Sequence, residues 1–162
     1  MKPFLLLATR PEIAAMLAEA IEDDRLLNRF VEELLRLEPP TRALSRATTK
    51  EVTIGGVTLP KGAHMLLVYG SGNDDETVFP EPRSFDPGRT NFSKHVVFGG
   101  GPHKCIGVAL ARMEIKVMAR EIGRRFADVR LEIAEDDISY LPTIATRTIE
   151  SLPVSFRAVA AD

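Results

Sequence analysis

Cysteine is nearly missing from this chain: Cys105 is the only one in 162 residues. A single thiol excludes an internal disulfide framework. An excess of charge of one sign is missing too. The 21 Lys and Arg against 23 Asp and Glu leave a net charge of -2, which argues against a general nucleic-acid binder. There is no long apolar run. The opening MKPFLLLA is too short for a signal peptide or a membrane anchor and reads as the stub of a helix. Internal repeats and low-complexity segments are absent, and the closing AVAAD reads as a frayed tail. What remains, 44% hydrophobic residues in a length suited to one ordinary domain, points to a soluble, cytoplasmic protein with a core.

The lone cysteine lies in an unusual setting. Residues 98–107 read FGGGPHKCIG, and the run from Ile106 to Phe126 is rich in helix formers and free of proline. The glycines turn the chain tightly and deliver Cys105 to the start of that helix. Unpaired N–H groups and the positive end of the helix dipole favour a thiolate there. Such a thiolate serves as a metal ligand or as a nucleophile. The glycines favour the ligand, because they let backbone approach a large flat object without intervening side chains.

This segment resembles the haem-ligand loop of cytochrome P450, FxxGxxxCxG, with all four fixed positions present as Phe98, Gly101, Cys105 and Gly107. The resemblance implies that Cys105 is the axial thiolate of haem b, with Phe98, Gly99 and Gly107 around it. Thiolate ligation favours cleavage of the O–O bond of bound oxygen. A buried structural cysteine after a glycine turn is the plain alternative.

Further residues point the same way. Glu33 and Arg36, within FVEELLRLEPP, are three apart and share a helix face, so they can pair. In the family such a pair forms a buried network with an Arg of the meander, a position held here by Arg89. A carboxylate and two guanidiniums that satisfy one another would act as a polar lock on the loop. The resemblance also implies cationic or N–H partners for the haem propionates, at Arg46, His95 and His103. Arg42 is a competitor for Arg46, disfavoured by spacing. The stretches that line the family's substrate pocket place Thr41, Ala43, Ala145 and Thr146 near a small apolar organic substrate, without selecting one.

The expected fold is α+β and mainly helical: the C-terminal, proximal haem-binding part of the cytochrome P450 fold, with a small sheet and a terminal β-hairpin. Within one partial domain over 1–162, helices including ExxR span 11–38 and a small sheet spans 48–69. A meander follows over 70–97, then the ligand loop at 98–107, a helix over 106–126 and terminal strands over 131–157. Within the sheet, Thr48–Ile54 and Val57–Leu59 flank Gly55-Gly56, a hairpin signature, and His64–Tyr69 reads as a further strand. Short strands are expected at Leu131–Ile133 and around Leu152-Pro153-Val154.

Against the family pattern, the chain is expected to lack the distal helix with its acid–alcohol pair, so that it is not active alone. Gly72-Asn73-Asp74-Asp75 also departs from A-N-R-D, which removes a possible charge partner. Lys94, Lys104, Arg112 and Lys116 form either a basic patch for an electron-transfer protein, ferredoxin-like or a flavin reductase, or a solvated charged face. Three readings follow: a haem-thiolate monooxygenase represented by its C-terminal part, a truncated haem-binding or structural remnant, and a thiol enzyme using Cys105 with His103 as base. The third leaves Glu33, Arg36, Arg89 and Arg46 without a role.

Overall fold

Three helices open the computed structural model, which describes residues 2–159: α1 (Lys2–Thr9), α2 (Pro11–Ala20) and α3 (Asp24–Leu37). The last three residues of the AVAAD tail lie outside the described residues. Pro11 occupies the first turn of α2, where its fixed φ suits the helix and its missing N–H is no loss. Asp23 caps α3 by accepting the backbone N–H groups of Arg25 at 2.8 Å and Leu26 at 3.1 Å. The helix stops ahead of Pro39-Pro40, which cannot continue it.

The core gathers around α3. Leu27, Phe30, Leu34 and Leu37 recur at helical spacing and pack with Ile13 and Leu17 of α2. Ala119 and Ile122 of the long helix α5 (Val108–Arg125) join the same cluster. The Phe30 and Phe85 rings, with centroids 4.9 Å apart, fasten the meander to it. On another face of α3, Val31 and Leu35 pack against Val97, just ahead of the glycine loop. Between these apolar faces lie Glu32, Glu33 and Arg36, all buried.

The strands form three separate two-stranded ladders among the described residues. Strand β1 (Ala43–Ala47) runs antiparallel to β4 (His64–Val68), with Ala43 opposite Val68 and Ala47 opposite His64. Strands β2 (Val52–Ile54) and β3 (Val57–Leu59) make the expected hairpin. Gly55 and Gly56 both have positive φ, at 57° and 81°, as a type I′ turn requires. The first ladder differs from the expected sheet, which began at residue 48. Ala-Leu-Ser-Arg-Ala has no β-branched residue, so β1 exists by pairing with β4 rather than by propensity. Thr48 is no part of a strand. Its hydroxyl donates to the Pro60 carbonyl at 2.6 Å and accepts the Ala63 N–H at 2.9 Å, bending the chain.

A short helix, α4 (Tyr69–Asn73), takes up the end of the expected 64–69 strand and the start of the meander. Strand β5 (Phe126–Leu131) pairs antiparallel with β6 (Val154–Ala158). This pair starts earlier than the expected 131–133 strand, because the Phe126 ring packs on Phe4 at 6.0 Å and Phe156 at 4.5 Å. Residues 132–153 separate the two strands and carry the bridge between Tyr140 and Ile149. Among the described residues, no helix is long and apolar enough to cross a membrane.

Candidate cofactor site

The glycine loop folds back on itself. Cys105 donates its N–H to the Phe98 carbonyl at 2.9 Å, Gly99 to Val96 at 2.9 Å, and Lys104 to Gly101 at 3.1 Å. The turn needs positive φ at Gly99 and Gly101, 65° and 64°, a region that side-chain-bearing residues rarely adopt. Helix α5 begins at Val108 with Gly107 as its cap, two residues later than expected, so Cys105 stands just ahead of the helix. Cys105 is exposed, which rules out the buried structural cysteine.

The sulfur opens onto a groove. A cavity of about 370 Å³ is lined by Cys105, Phe98, Leu35, Leu44, Ala111 and Ile115, with Thr41, Tyr69 and His103 also on its wall. A second cavity, also about 370 Å³, shares Tyr69, Gly99 and His103 with the first and adds Arg46 and Gly100. The groove is therefore apolar around the sulfur and polar where Arg46 and His103 stand. A third cavity of about 350 Å³ shares Leu35, Pro40 and Ile115 and extends to Thr146. Thr41 and Thr146 form an isolated antiparallel bridge. The N–H groups of Arg42 and Ala43 both reach the Ala145 carbonyl, at 2.7 and 3.3 Å. Thr41, Ala43, Ala145 and Thr146 thus meet at one margin of the groove, with Ala43 buried.

Behind the loop, Glu33, Arg36 and Arg89 converge. Glu33 accepts two hydrogen bonds from Arg36 at 2.8 Å, one from Arg89 Nε at 3.0 Å and one from the Asp86 N–H at 3.0 Å. The remaining guanidinium donors end on carbonyls of the meander. Arg36 reaches Asn73, Pro82 and Ser84, while Arg89 reaches Pro80, Glu81 and Ser84. All three side chains are buried. Burial pushes the Glu33 carboxyl up, but Arg36, the Asp86 N–H and Arg89 outweigh it and hold the group below its ordinary range.

Glu32, which sequence reasoning missed, anchors a second cluster. Its carboxylate accepts from Arg112 Nε at 2.5 Å and Nη2 at 2.8 Å, and lies 2.8 Å from His95 Nε2. Burial opposes its ionisation, yet the hydrogen bonds of His95 and Arg112 prevail and lower its pKa to about 2. His95 is therefore committed to Glu32 through one ring nitrogen, is buried, and is not among the residues lining the groove. Asn73, also missed, is fully buried. It donates to the Arg36 carbonyl at 3.1 Å and accepts the Val96 N–H at 2.8 Å. Two adjacent glutamates and an Asn-Asp step gave no periodic signal that would single out either residue.

The Gly72–Asp75 departure has its own compensation, since Asp74 pairs with Arg83. The basic patch is partly neutralised: Arg112 is held by Glu32, and Lys116 meets Asp24 at 3.1 Å. Among the described residues, no three His, Cys, Asp or Glu converge on a point where a bare ion could be held.

The comparisons agree with this geometry. The cytochrome P450 family model matches residues 3–139. Cytochrome P450 144 of Mycobacterium tuberculosis is 37% identical over 150 residues, 93% of this chain and 33% of that protein. The steroid C26-monooxygenase of the same organism is 39% identical over 135 residues, covering 83% of this chain and 36% of its own length. A substrate-free cytochrome P450 structure from Mycobacterium marinum superimposes with a TM-score of 0.86 at 30% identity, over 97% of this chain and 39% of that one. The chain thus spans about a third of the length of the curated relatives it matches. Its glycine loop, buried Glu–Arg–Arg lock and these likenesses place the chain in the cytochrome P450 family.

Proposed function

We propose that this chain binds haem b through the thiolate of Cys105, and that it forms the haem-thiolate part of a cytoplasmic monooxygenase that hydroxylates a small apolar organic substrate. One observation carries the reading: an exposed lone sulfur at an apolar groove, with Arg46 and His103 lining its polar extension. That donor set fits the group, offering one sulfur for iron, apolar side chains for the ring faces and an Arg and a His as hydrogen-bond donors for two carboxylates. When bound, haem supplies oxygen activation, with the thiolate favouring O–O cleavage.

The chain's own residues divide the work. Cys105 ligates, and the bond from its N–H to the Phe98 carbonyl sets where the sulfur stands. Arg46 and His103 hold the propionates by charge-assisted hydrogen bonds. Gly99 and Gly107 keep the approach free of side chains. Thr41 and Thr146 line the cavities and border the substrate, whereas Ala43, expected beside them, is buried behind the wall and Ala145 serves through its carbonyl, which holds the Arg42 and Ala43 N–H groups. Glu33, Arg36 and Arg89 hold the meander behind the loop. Electrons come from a ferredoxin-like protein or a flavin reductase, drawn to Lys94 and Lys104.

A second reading has an observation of its own. The sulfur of Cys105 is itself exposed at the groove. For these 162 residues by themselves, this favours haem binding without coupled turnover. The test is to add haem to the purified chain, reduce it and admit carbon monoxide. A strongly red-shifted Soret band supports thiolate ligation, and an unshifted band refutes it.

A further inference from the structure

His95 and Arg112 bracket the cysteine loop in sequence, three residues ahead of Phe98 and seven beyond Cys105. Both reach back to one carboxylate on α3, that of Glu32. The Arg112 fork grips it through two nitrogens, a geometry a single point charge does not reproduce. The same guanidinium lies over the Phe98 ring, 4.9 Å from its centroid, in a cation–π contact. The His95 ring stands 6.1 Å from that of Phe98. Phe98 in turn accepts the Cys105 N–H at 2.9 Å. A continuous line of contacts therefore runs from Glu32 through Arg112 and Phe98 to the backbone of the sulfur-bearing residue. The lock around Glu33 does something else, because its hydrogen bonds end on residues 73–86 of the meander.

We propose that Glu32 and Arg112 are positioning residues for Cys105: the pair pins the loop's two flanks to α3 and clamps Phe98, so that the sulfur is held at one place on the groove. This rests on the reading of Cys105 as the haem ligand. Arg112 is then a component of the ligand loop rather than a free charge for a partner protein. Because α3 is the most thoroughly buried helix, its carboxylate is a firm anchor for both flanks.

The experiment compares the parent chain with Glu32→Gln, Arg112→Gln, the double variant and Arg112→Lys. Amide exchange at Cys105 is measured on the haem-free chain, and the ferrous–CO spectrum on the haem-loaded one. Either Gln variant is expected to speed exchange of the Cys105 amide by about tenfold, while the β2–β3 hairpin is unchanged. Each also converts part of the red-shifted ferrous–CO band to the unshifted form. The double variant is expected to be no worse than the worse single one, because both residues act through one pair. Arg112→Lys, at a partly exposed site, keeps the charge without the fork and should fall between; it remains informative if Glu32→Gln does not fold. Single variants matching the parent in both measurements would overturn the proposal, as would effects that add in the double variant. A parent chain with no red-shifted band refutes the haem-ligand reading instead, and the exchange measurement still decides whether the pair holds the loop.

Discussion

Glu32 and Glu33 are consecutive on α3, yet their carboxylates serve different segments, the flanks of the ligand loop and the meander ahead of it. Successive helical side chains diverge by about 100°, so two neighbours can face two different segments. Glu33 meets Arg36 and Arg89 and so holds the meander that leads into the loop. Glu32 meets His95 and Arg112 and so holds the loop's flanks. Both are buried, so each must be satisfied in full or destabilise the fold.

Glu33→Ala is expected to cost roughly 3–5 kcal/mol, because it leaves two buried guanidiniums without their carboxylate. That is a large share of an ordinary domain's stability. Urea unfolding of the variant checks it. A midpoint equal to the parent's would mean that the trio contributes nothing to stability.

Acid should destabilise the chain through the same pair of carboxylates. Both are depressed in the folded state, so the stability they contribute is present above the unfolded value and lost as pH falls through the folded one. For Glu32 the window runs from 4.5 down to about 2. A depression of that size corresponds to ~3 kcal/mol. Glu32→Gln should therefore flatten the acid limb of a plot of urea midpoint against pH. A limb parallel to the parent's would show that Glu32 is not the group being titrated.

Much of this arrangement was legible in the residues. Short motifs with fixed spacing carried it: the glycine loop around Cys105, Glu33 with Arg36, and Arg89 in the meander. The Gly55-Gly56 turn and the proline stop after α3 were equally local. What escaped was set by tertiary pairing. Strand β1 has a composition that favours no strand and forms because β4 lies beside it. Phe126 leaves the expected helix because two aromatic rings wait for it.

The roles of Glu32, Arg112 and Asn73 escaped for a related reason. Their partners lie 63, 80 and 37 residues away. A lone Arg on a helix and a Glu beside another Glu look like solvated charges until the fold brings them together. His95 was expected at a propionate, and its spacing alone gave no sign that Glu32 would hold it.

Arg46→Ala and His103→Ala should each weaken haem retention without changing the type of iron spectrum. On the proposed reading, each removes a charge-assisted partner of a propionate while Cys105 stays in place. Haem transfer to apomyoglobin measures retention. Transfer rates equal to the parent's would remove these residues from the haem-binding set.

Reductant supplied to the haem-loaded chain alone, with a partner protein, should yield peroxide in excess of product. Productive turnover needs ordered proton delivery and excluded water, and Cys105 is exposed. Product and peroxide are measured side by side. Tightly coupled turnover by these 162 residues would contradict the expectation.

Whether Cys105 ligates iron is decided by the ferrous–CO spectrum of Cys105→Ser beside that of the parent. A hydroxyl is not ionised near neutral pH and is a poor iron ligand, whereas a thiolate binds strongly. The parent should show the strongly red-shifted Soret band and Cys105→Ser should lose it. The same red-shifted band in both proteins would contradict the assignment.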